Sequence, residues 1–318
     1  MKRTIVPSLA LLLVLAAPGA AQDTEPKAEA TANAAAPRQP QHVAPLLQHV
    51  SLTDAELHHD FPDLVITPDA KLWAVCVEHD GKADTLRLPS REGKTWKPAA
   101  ALSQPGVIHQ PALAADGAGG VWAFWGQVNA KDVMTLRARR FAGGRLEDEI
   151  ELAALADAGS SFADAGADAA GRVWVAWQEV RPGASQIWTR HWSAEGKEWS
   201  PPVRVSTSKE GGNWEPRLAF TDGGGAWIVY DCSAGSEFNL RLARVKVDGS
   251  VTDKQLLRTA DYEARASIAA DGAGGLWITA ERGRQQWGLD SRGHEDNMGL
   301  NAQKRLLLER LGLNAQLE

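Results

Sequence analysis

Cysteine is scarce in this 318-residue chain, which has only Cys76 and Cys232. Two cysteines so far apart in sequence argue against a disulfide framework, even in an oxidising compartment. A basic patch is also missing, because the formal net charge is −6 and the basic residues are scattered among acidic ones. Nucleic acid is therefore not an expected partner. The sequence holds no His, Cys and Asp cluster with metal-ligand spacing, so we expect neither a metal nor another cofactor.

Long apolar runs are rare as well, and the clearest one opens the chain. Residues 5–17 are largely apolar, follow two basic residues and precede small residues, which is the layout of a cleaved secretory signal over residues 1–21. The run is too short for a comfortable membrane span. We therefore expect a soluble, monomeric protein that is exported to the periplasm or the extracellular space.

The segment after the signal differs in composition from the rest of the chain. Residues 22–45 are rich in Ala, Pro, Gln, Glu and Thr, with few large apolar side chains to bury, and are predicted to form a disordered linker. Residues 46–318 are enough for one large all-β domain.

One segment of strand, turn and strand recurs through this domain. Its clearest copy is residues 111–125, PALAADGAGGVWAFW, and related copies occupy residues 62–76, 163–177, 216–230 and 266–280. Each copy places a tryptophan eleven residues after its start, and successive tryptophans lie 49 to 53 residues apart: Trp73, Trp122, Trp174, Trp227 and Trp277. A period near fifty is typical of an array of supersecondary units.

Four strands are predicted in a complete repeat. The second is apolar at consecutive positions, as in residues 121–125, so both of its faces should be buried. Turns rich in Asp and Gly, such as residues 116–120, join it to the first strand as a hairpin. Third strands are predicted at residues 133–139, 186–192 and 239–247, and fourth strands at residues 96–102, 146–152, 203–206 and 251–257.

This pattern predicts an all-β fold, a five-bladed β-propeller of four-stranded antiparallel blades, with the five tryptophans buried between adjacent blades. The fifth repeat ends with a strand at residues 304–311 and lacks a fourth strand, which residues 49–52 can supply, so that an N-terminal strand closes the ring. Residues 302–311 are good helix formers. A terminal helix, a truncated blade or a sixth blade are the alternatives.

Two turns carry a resemblance to a known family. Residues 90–96, SREGKTW, and residues 193–199, SAEGKEW, resemble the Asp-box turns of bacterial sialidase-like β-propeller proteins of the BNR-repeat type. Both are one residue shorter than the usual box, and Glu92 and Glu195 stand where it has aspartate. Sialidases also use a tyrosine and three arginines. The chain has only Tyr230 and Tyr262, and no arginine triad can be assigned, so the resemblance implies the architecture.

A weaker resemblance is to the five-bladed arabinanase and β-xylosidase type of glycoside hydrolase. These enzymes use three carboxylates from separate blades around the channel. The resemblance implies Asp63, or Asp60, together with Asp164 and Glu215 as the catalytic carboxylates of an inverting hydrolase.

Functional residues of a β-propeller lie where first strands begin and second strands end, since those loops surround one mouth of the central channel. In this chain the positions hold carboxylates, amides, arginines and aromatic rings, which suit a hydroxyl-rich ligand. The candidate ligand-binding residues are His59, Asp60, His109, Gln110, Glu179, Trp214, Arg217, Asp231, Glu263, Arg265 and Glu281.

The sequence thus predicts an exported, non-catalytic propeller that binds a glycan or a protein partner at the channel mouth. The alternative is a glycoside hydrolase, either sialidase-like or of the inverting arabinanase and xylosidase type. Convergence of Asp63, Asp164 and Glu215 on one cleft favours hydrolysis, whereas an Asp164 that caps backbone elsewhere disfavours it.

Overall fold

The computed structural model describes residues 57–93, 95–152, 158–207, 211–234, 237–257, 259–283 and 305–312. Strands and turns make up these ranges, which confirms the predicted all-β class. Within them, no helix has the length and hydropathy that a membrane crossing requires.

The strands form five antiparallel sheets, one for each sequence repeat. The first sheet contains β1 (His58–Ile66), β2 (Leu72–His79), β3 (Asp84–Glu92) and β4 (Thr95–Ala101). The second contains β5 (Ile108–Ala115), β6 (Val121–Val128), β7 (Met134–Ala142), β8 (Arg145–Leu146) and β9 (Ile150–Glu151). The third contains β10 (Gly159–Ala167), β11 (Val173–Arg181), β12 (Ala184–Ser193), β13 (Glu198–Trp199) and β14 (Val203–Arg204). The fourth contains β15 (Asn213–Ala219), β16 (Ala226–Ala234), β17 (Glu237–Val245) and β18 (Val251–Leu257), and the fifth contains β19 (Tyr262–Ala270), β20 (Gly275–Gly283) and β21 (Arg305–Gly312).

Strand order within each sheet follows chain order, as successive hairpins require. The outer strand is continuous in the first and fourth sheets. In the second and third sheets the outer strand consists of two short strands. One continuous strand was predicted for each, at residues 146–152 and 203–206.

The hairpin turns form as the sequence predicts, because an aspartate side chain replaces missing backbone partners. In the second sheet the Asp116 carboxylate accepts hydrogen bonds from the backbone N–H groups of Ala118 and Gly120, at 2.9 and 2.8 Å. Asp168 does the same in the third sheet. The glycines also permit close approach between sheets, since a Cβ on Gly171 would lie 2.7 Å from the Cα of Gly117.

The core lies between consecutive sheets and is centred on the repeat tryptophans. Trp73 packs with residues of the second sheet, Trp122 with the third, Trp174 with the fourth and Trp227 with the fifth. All four are buried, as predicted, and so are the free cysteines. Trp277 was also predicted to be buried, but it is 38% exposed. The other four tryptophans pack against the sheet that follows in the chain, and the fifth sheet is the last among the described residues.

The last described segment, β21, is a strand, although its residues are good helix formers. Strand β21 pairs with β20 along its whole length, from Gly312 opposite Gly275 to Arg305 opposite Arg282. Tertiary pairing therefore overrides local helix propensity here. The segment predicted to complete the fifth sheet, residues 49–52, lies outside the described residues.

Candidate functional site

The first strand of every sheet carries a β-bulge near its start. The pairing register with the second strand shifts there in all five sheets. In each bulge one residue that is not glycine has a left-handed backbone, with φ between +36° and +55°: Phe61, Gln110, Phe162, Glu215 and Arg265. We call these the bulge residues, and we call the end of the sheets where they lie the mouth. Each bulge residue precedes the tryptophan of its own repeat by twelve residues.

Aromatic rings from the first three sheets meet at the mouth. The ring centroid of Phe61 lies 5.1 Å from that of His109, and His109 lies 5.4 Å from Phe162 in an edge-on arrangement. Burial lowers the pKa of His109. A neutral imidazole between two phenyl rings gives this part of the mouth an apolar surface.

A second aromatic group comes from the fourth and fifth sheets. The rings of Trp214 and Phe238 are stacked with centroids 5.8 Å apart, and Phe238 lies 5.2 Å from Tyr262. Tyrosine and tryptophan combine an apolar face with a polar edge, so this group can both stack on a ligand and hydrogen-bond to it.

Three carboxyl groups at the mouth feel the charge of Arg217. Burial raises the pKa of Asp63, raises that of Asp164 to about 6 and raises that of Asp231 to about 7, and the positive charge of Arg217 opposes each rise. Asp63 also adds to the rise at Asp164. Acidic side chains from the first, third and fourth sheets thus lie within electrostatic range of one guanidinium.

All three carboxylates also hold the following sheet in place. Asp63 Oδ2 accepts a hydrogen bond from the Leu113 N–H at 2.7 Å, and Asp164 Oδ2 accepts one from the Leu218 N–H at 2.7 Å. Asp231 Oδ2 accepts one from the Arg265 N–H at 2.8 Å. Each bond reaches the first strand of the next sheet, so these side chains have a structural role in joining the sheets.

The predicted catalytic set is therefore only partly assembled. Asp63 and Asp164 act on one another, but both cap backbone of a neighbouring sheet. Glu215 interacts with Asp231 instead. Burial is the main cause of the raised pKa of Asp231, and the negative charge of Glu215 adds to it. Asp60 is exposed on the first strand. The sequence predicts Asp231 as a binding residue but not its burial, because its hydrogen-bond partner, the Arg265 N–H, comes from the next repeat.

The remaining predicted binding residues lie near the mouth in pairs. His59 Nε2 lies 3.4 Å from Glu78 Oε2, and Glu281 Oε2 lies 3.5 Å from Arg265 Nη1. Glu179 and Glu263 are buried: Glu179 accepts a hydrogen bond from the Trp177 indole N–H at 3.0 Å, and Glu263 accepts one from the Thr259 hydroxyl at 2.8 Å. These two glutamates therefore support the walls of the mouth.

The aromatic members were largely missed from the sequence. Phe61, Phe162, Phe238 and Tyr262 were not predicted to line the mouth, although a constant offset from the repeat tryptophan relates the first two. No group of three His, Cys, Asp or Glu side chains in the described ranges could hold a metal ion.

Known structures resemble this chain in fold but not in sequence. No family model and no curated protein matches the sequence. A protein of unknown function from Dyadobacter fermentans matches in structure with a TM-score of 0.54 and 11% identity, covering 72% of this chain and 76% of the other. A polysaccharide lyase of family PL25, an ulvan lyase, matches with a TM-score of 0.53 and 11% identity, covering 70% and 62%.

Weaker matches include an α-L-arabinanase from Penicillium chrysogenum, with a TM-score of 0.46, 11% identity and coverage of 80% of this chain and 93% of the other. A microbial sialidase matches with a TM-score of 0.40. These two are too distant to support an argument about this chain. At 11% identity the two stronger similarities bear on the fold alone: known proteins share this all-β arrangement of antiparallel sheets, and the structural neighbours are β-propellers.

Proposed function

We propose that the protein is an exported, five-bladed β-propeller that binds a glycan at the mouth of its central channel without cleaving it. The observation that carries this proposal is that the mouth holds two aromatic groups, one from the first three sheets and one from the last two, together with the carboxyl groups of Asp63, Asp164 and Asp231. A sugar ring presents apolar C–H faces and hydroxyl edges, so it needs both kinds of surface together.

The hydrogen bonds of Asp63 and Asp164 support a binding role over a hydrolytic one. A carboxylate that already accepts a backbone N–H from the next sheet has less freedom to exchange protons with a substrate. One observation favours the alternative. Asp231 also accepts a backbone N–H, from Arg265, but burial raises its pKa to about 7, and a raised carboxyl pKa suits a general acid, so a glycoside hydrolase that uses Asp231 and Glu215 is the second candidate.

We also propose that the sheets close into a ring of five blades and that the protein is exported. Five successive sheets, each pairing its own strands and packing on the next, support a ring of five blades. Residues 49–52 would add the fourth strand of the fifth blade. Export is proposed from the signal-like residues 1–21.

A glycan array probed with the mature protein, residues 22–318, tests the proposal, and a reducing-sugar assay on every glycan that binds runs beside it. Binding without release of reducing ends is expected. Release that disappears in the Asp231→Asn variant would instead favour the hydrolase. A protein that binds no glycan on the array would contradict the proposal and leave a protein partner as the ligand.

A further inference from the structure

We infer that the five bulge residues form the ligand-contacting ring of the mouth and that the glycan they select is uncharged. This inference rests on the proposed function and specifies which side chains perform it. The ring comprises Phe61, Gln110, Phe162, Glu215 and Arg265, one from each sheet.

The five bulge residues share an uncommon backbone conformation. A left-handed backbone is uncommon for residues other than glycine, and for a bulky residue such as phenylalanine it is an outlier. Glycine adopts this conformation without a steric penalty, and the chain contains 30 glycines, many of them in its turns. Yet all five bulges carry a side chain. A bulge needed only to bend the strand would be served by glycine, so the retained side chains have another use.

The side chains of the bulge residues are accessible to a ligand. None of the five bulge residues is buried, and Phe61 is 37% exposed. An exposed phenyl ring in a strained backbone contributes little to the hydrophobic core. Both features are expected of a side chain that is held ready for a ligand.

The two halves of the ring differ in chemistry. Phe61 and Phe162 flank His109 and make one half of the mouth apolar. In the other half Glu215 and Arg265 have opposite charges. Burial opposes the charge of Arg265, but the carboxylates of Glu281 and Glu215 help to raise its pKa. This half therefore offers paired donors and acceptors to hydroxyl groups.

The charge behind the ring disfavours an acidic sugar. Asp63 and Asp164 follow the bulge residues Phe61 and Phe162 by two positions, and they and Asp231 are committed to backbone N–H groups at 2.7 to 2.8 Å, with Arg217 the cation that acts on all three. Burial already disfavours negative charge on these side chains, so the carboxylate of a uronate or sialate that entered this space would be desolvated with little compensation. A neutral hexose or pentose chain meets no such cost.

Isothermal titration calorimetry with defined oligosaccharides tests the inference. The neutral probes are cellohexaose, xylohexaose, mannohexaose and arabinohexaose, and the acidic probes are hexagalacturonate and sialyllactose. The variants are Phe61→Gly and Phe162→Gly. The matched control is Ala70→Gly, since Ala70 has the same kind of backbone, with φ of +61°, in an exposed turn at the opposite end of the first sheet.

We expect a neutral probe to bind the wild type and to bind each phenylalanine variant at least about tenfold more weakly, the loss expected when a buried aromatic contact is removed. The control should bind like the wild type. Because glycine relieves the backbone strain, all three variants should melt at the wild-type temperature or up to about 4 °C higher.

Each part of the inference has its own contradicting result. Undiminished binding by both phenylalanine variants would overturn the ring, and a preference for acidic probes would overturn the ligand class, while either result leaves glycan binding in place. A melting temperature that falls by more than about 5 °C in both variants would mean that the rings belong to the packing of the fold. Failure of the proposed function is distinct, since the wild type would then bind no probe of either class and no glycan on the array.

Discussion

Trp122 joins two sheets through its side chain. It is 5% exposed, and its ring centroid lies 5.4 Å from Trp192 and 5.1 Å from Trp199, both in the third sheet. Replacing Trp122 by Ala should reduce the free energy of unfolding by about 3–5 kcal/mol, the range for removing a large aromatic from a core. Urea denaturation followed by circular dichroism measures the loss.

Trp277 is the control for that experiment, because it occupies the same repeat position but is 38% exposed. The Trp277→Ala variant should lose less than half as much stability as the Trp122→Ala variant. A loss at Trp122 below about 1 kcal/mol, typical of surface positions, would contradict the assignment of Trp122 to the core between sheets.

Asp231 should make stability depend on pH. Burial raises its pKa from 3.8 to about 7, so between those values the folded chain keeps a proton that the unfolded chain has released. Stability from this group is full below about pH 4, falls as the pH rises towards 7 and is constant above that. The Asp231→Asn variant, which cannot ionise, should lose less stability between pH 5 and pH 8 than the wild type, by on the order of 1–2 kcal/mol.

Urea denaturation at the two pH values gives the comparison. Asp132→Asn is the matched control, since Asp132 lies in an exposed turn with φ of +61°, a conformation that asparagine tolerates. Its pH dependence should equal that of the wild type. Equal pH dependence for Asp231→Asn and the wild type would mean that Asp231 is ionised in the folded protein at pH 5.

The sequence predicts those strands and turns that local residue chemistry determines. Asp116 with its glycines specifies a hairpin, and the continuous apolar run at residues 121–125 specifies a central strand. The bulges escaped prediction because residues such as Phe61 and Phe162 have no preference for a left-handed backbone, and the pairing of two strands imposes it on them. Strand β21 was predicted from repeat phase alone, against the helix propensity of its residues.

Truncation of the N-terminal segment tests whether residues 49–52 close the ring. If residues 49–52 complete the fifth blade, deleting residues 22–44 should leave the melting temperature unchanged. Deleting residues 22–53 should expose a strand edge and lower both solubility and the melting temperature. Differential scanning calorimetry and light scattering compare the two proteins. Equal values for both deletions would contradict closure by the N-terminal strand.

For the molecule as a whole, the repeat phase predicts which end of the sheets forms the mouth, because it fixes where each first strand begins. It cannot predict the partners of Asp63, Asp164 and Asp231, which lie 34 to 54 residues away in the next sheet. A carboxylate that caps the backbone of another repeat looks, in sequence, the same as one that faces a ligand.

Hydrogen–deuterium exchange with and without a bound glycan tests most directly whether the mouth is the binding site. If the ligand binds at the mouth, protection is expected where the first strands begin, at residues 58–63, 108–112, 159–164, 213–217 and 262–267. Little change is expected in the hairpin turns at the opposite end, residues 67–71, 116–120, 168–172, 221–225 and 271–275. Protection confined to those turns, with no change at the strand starts, would show that the mouth is not the binding site.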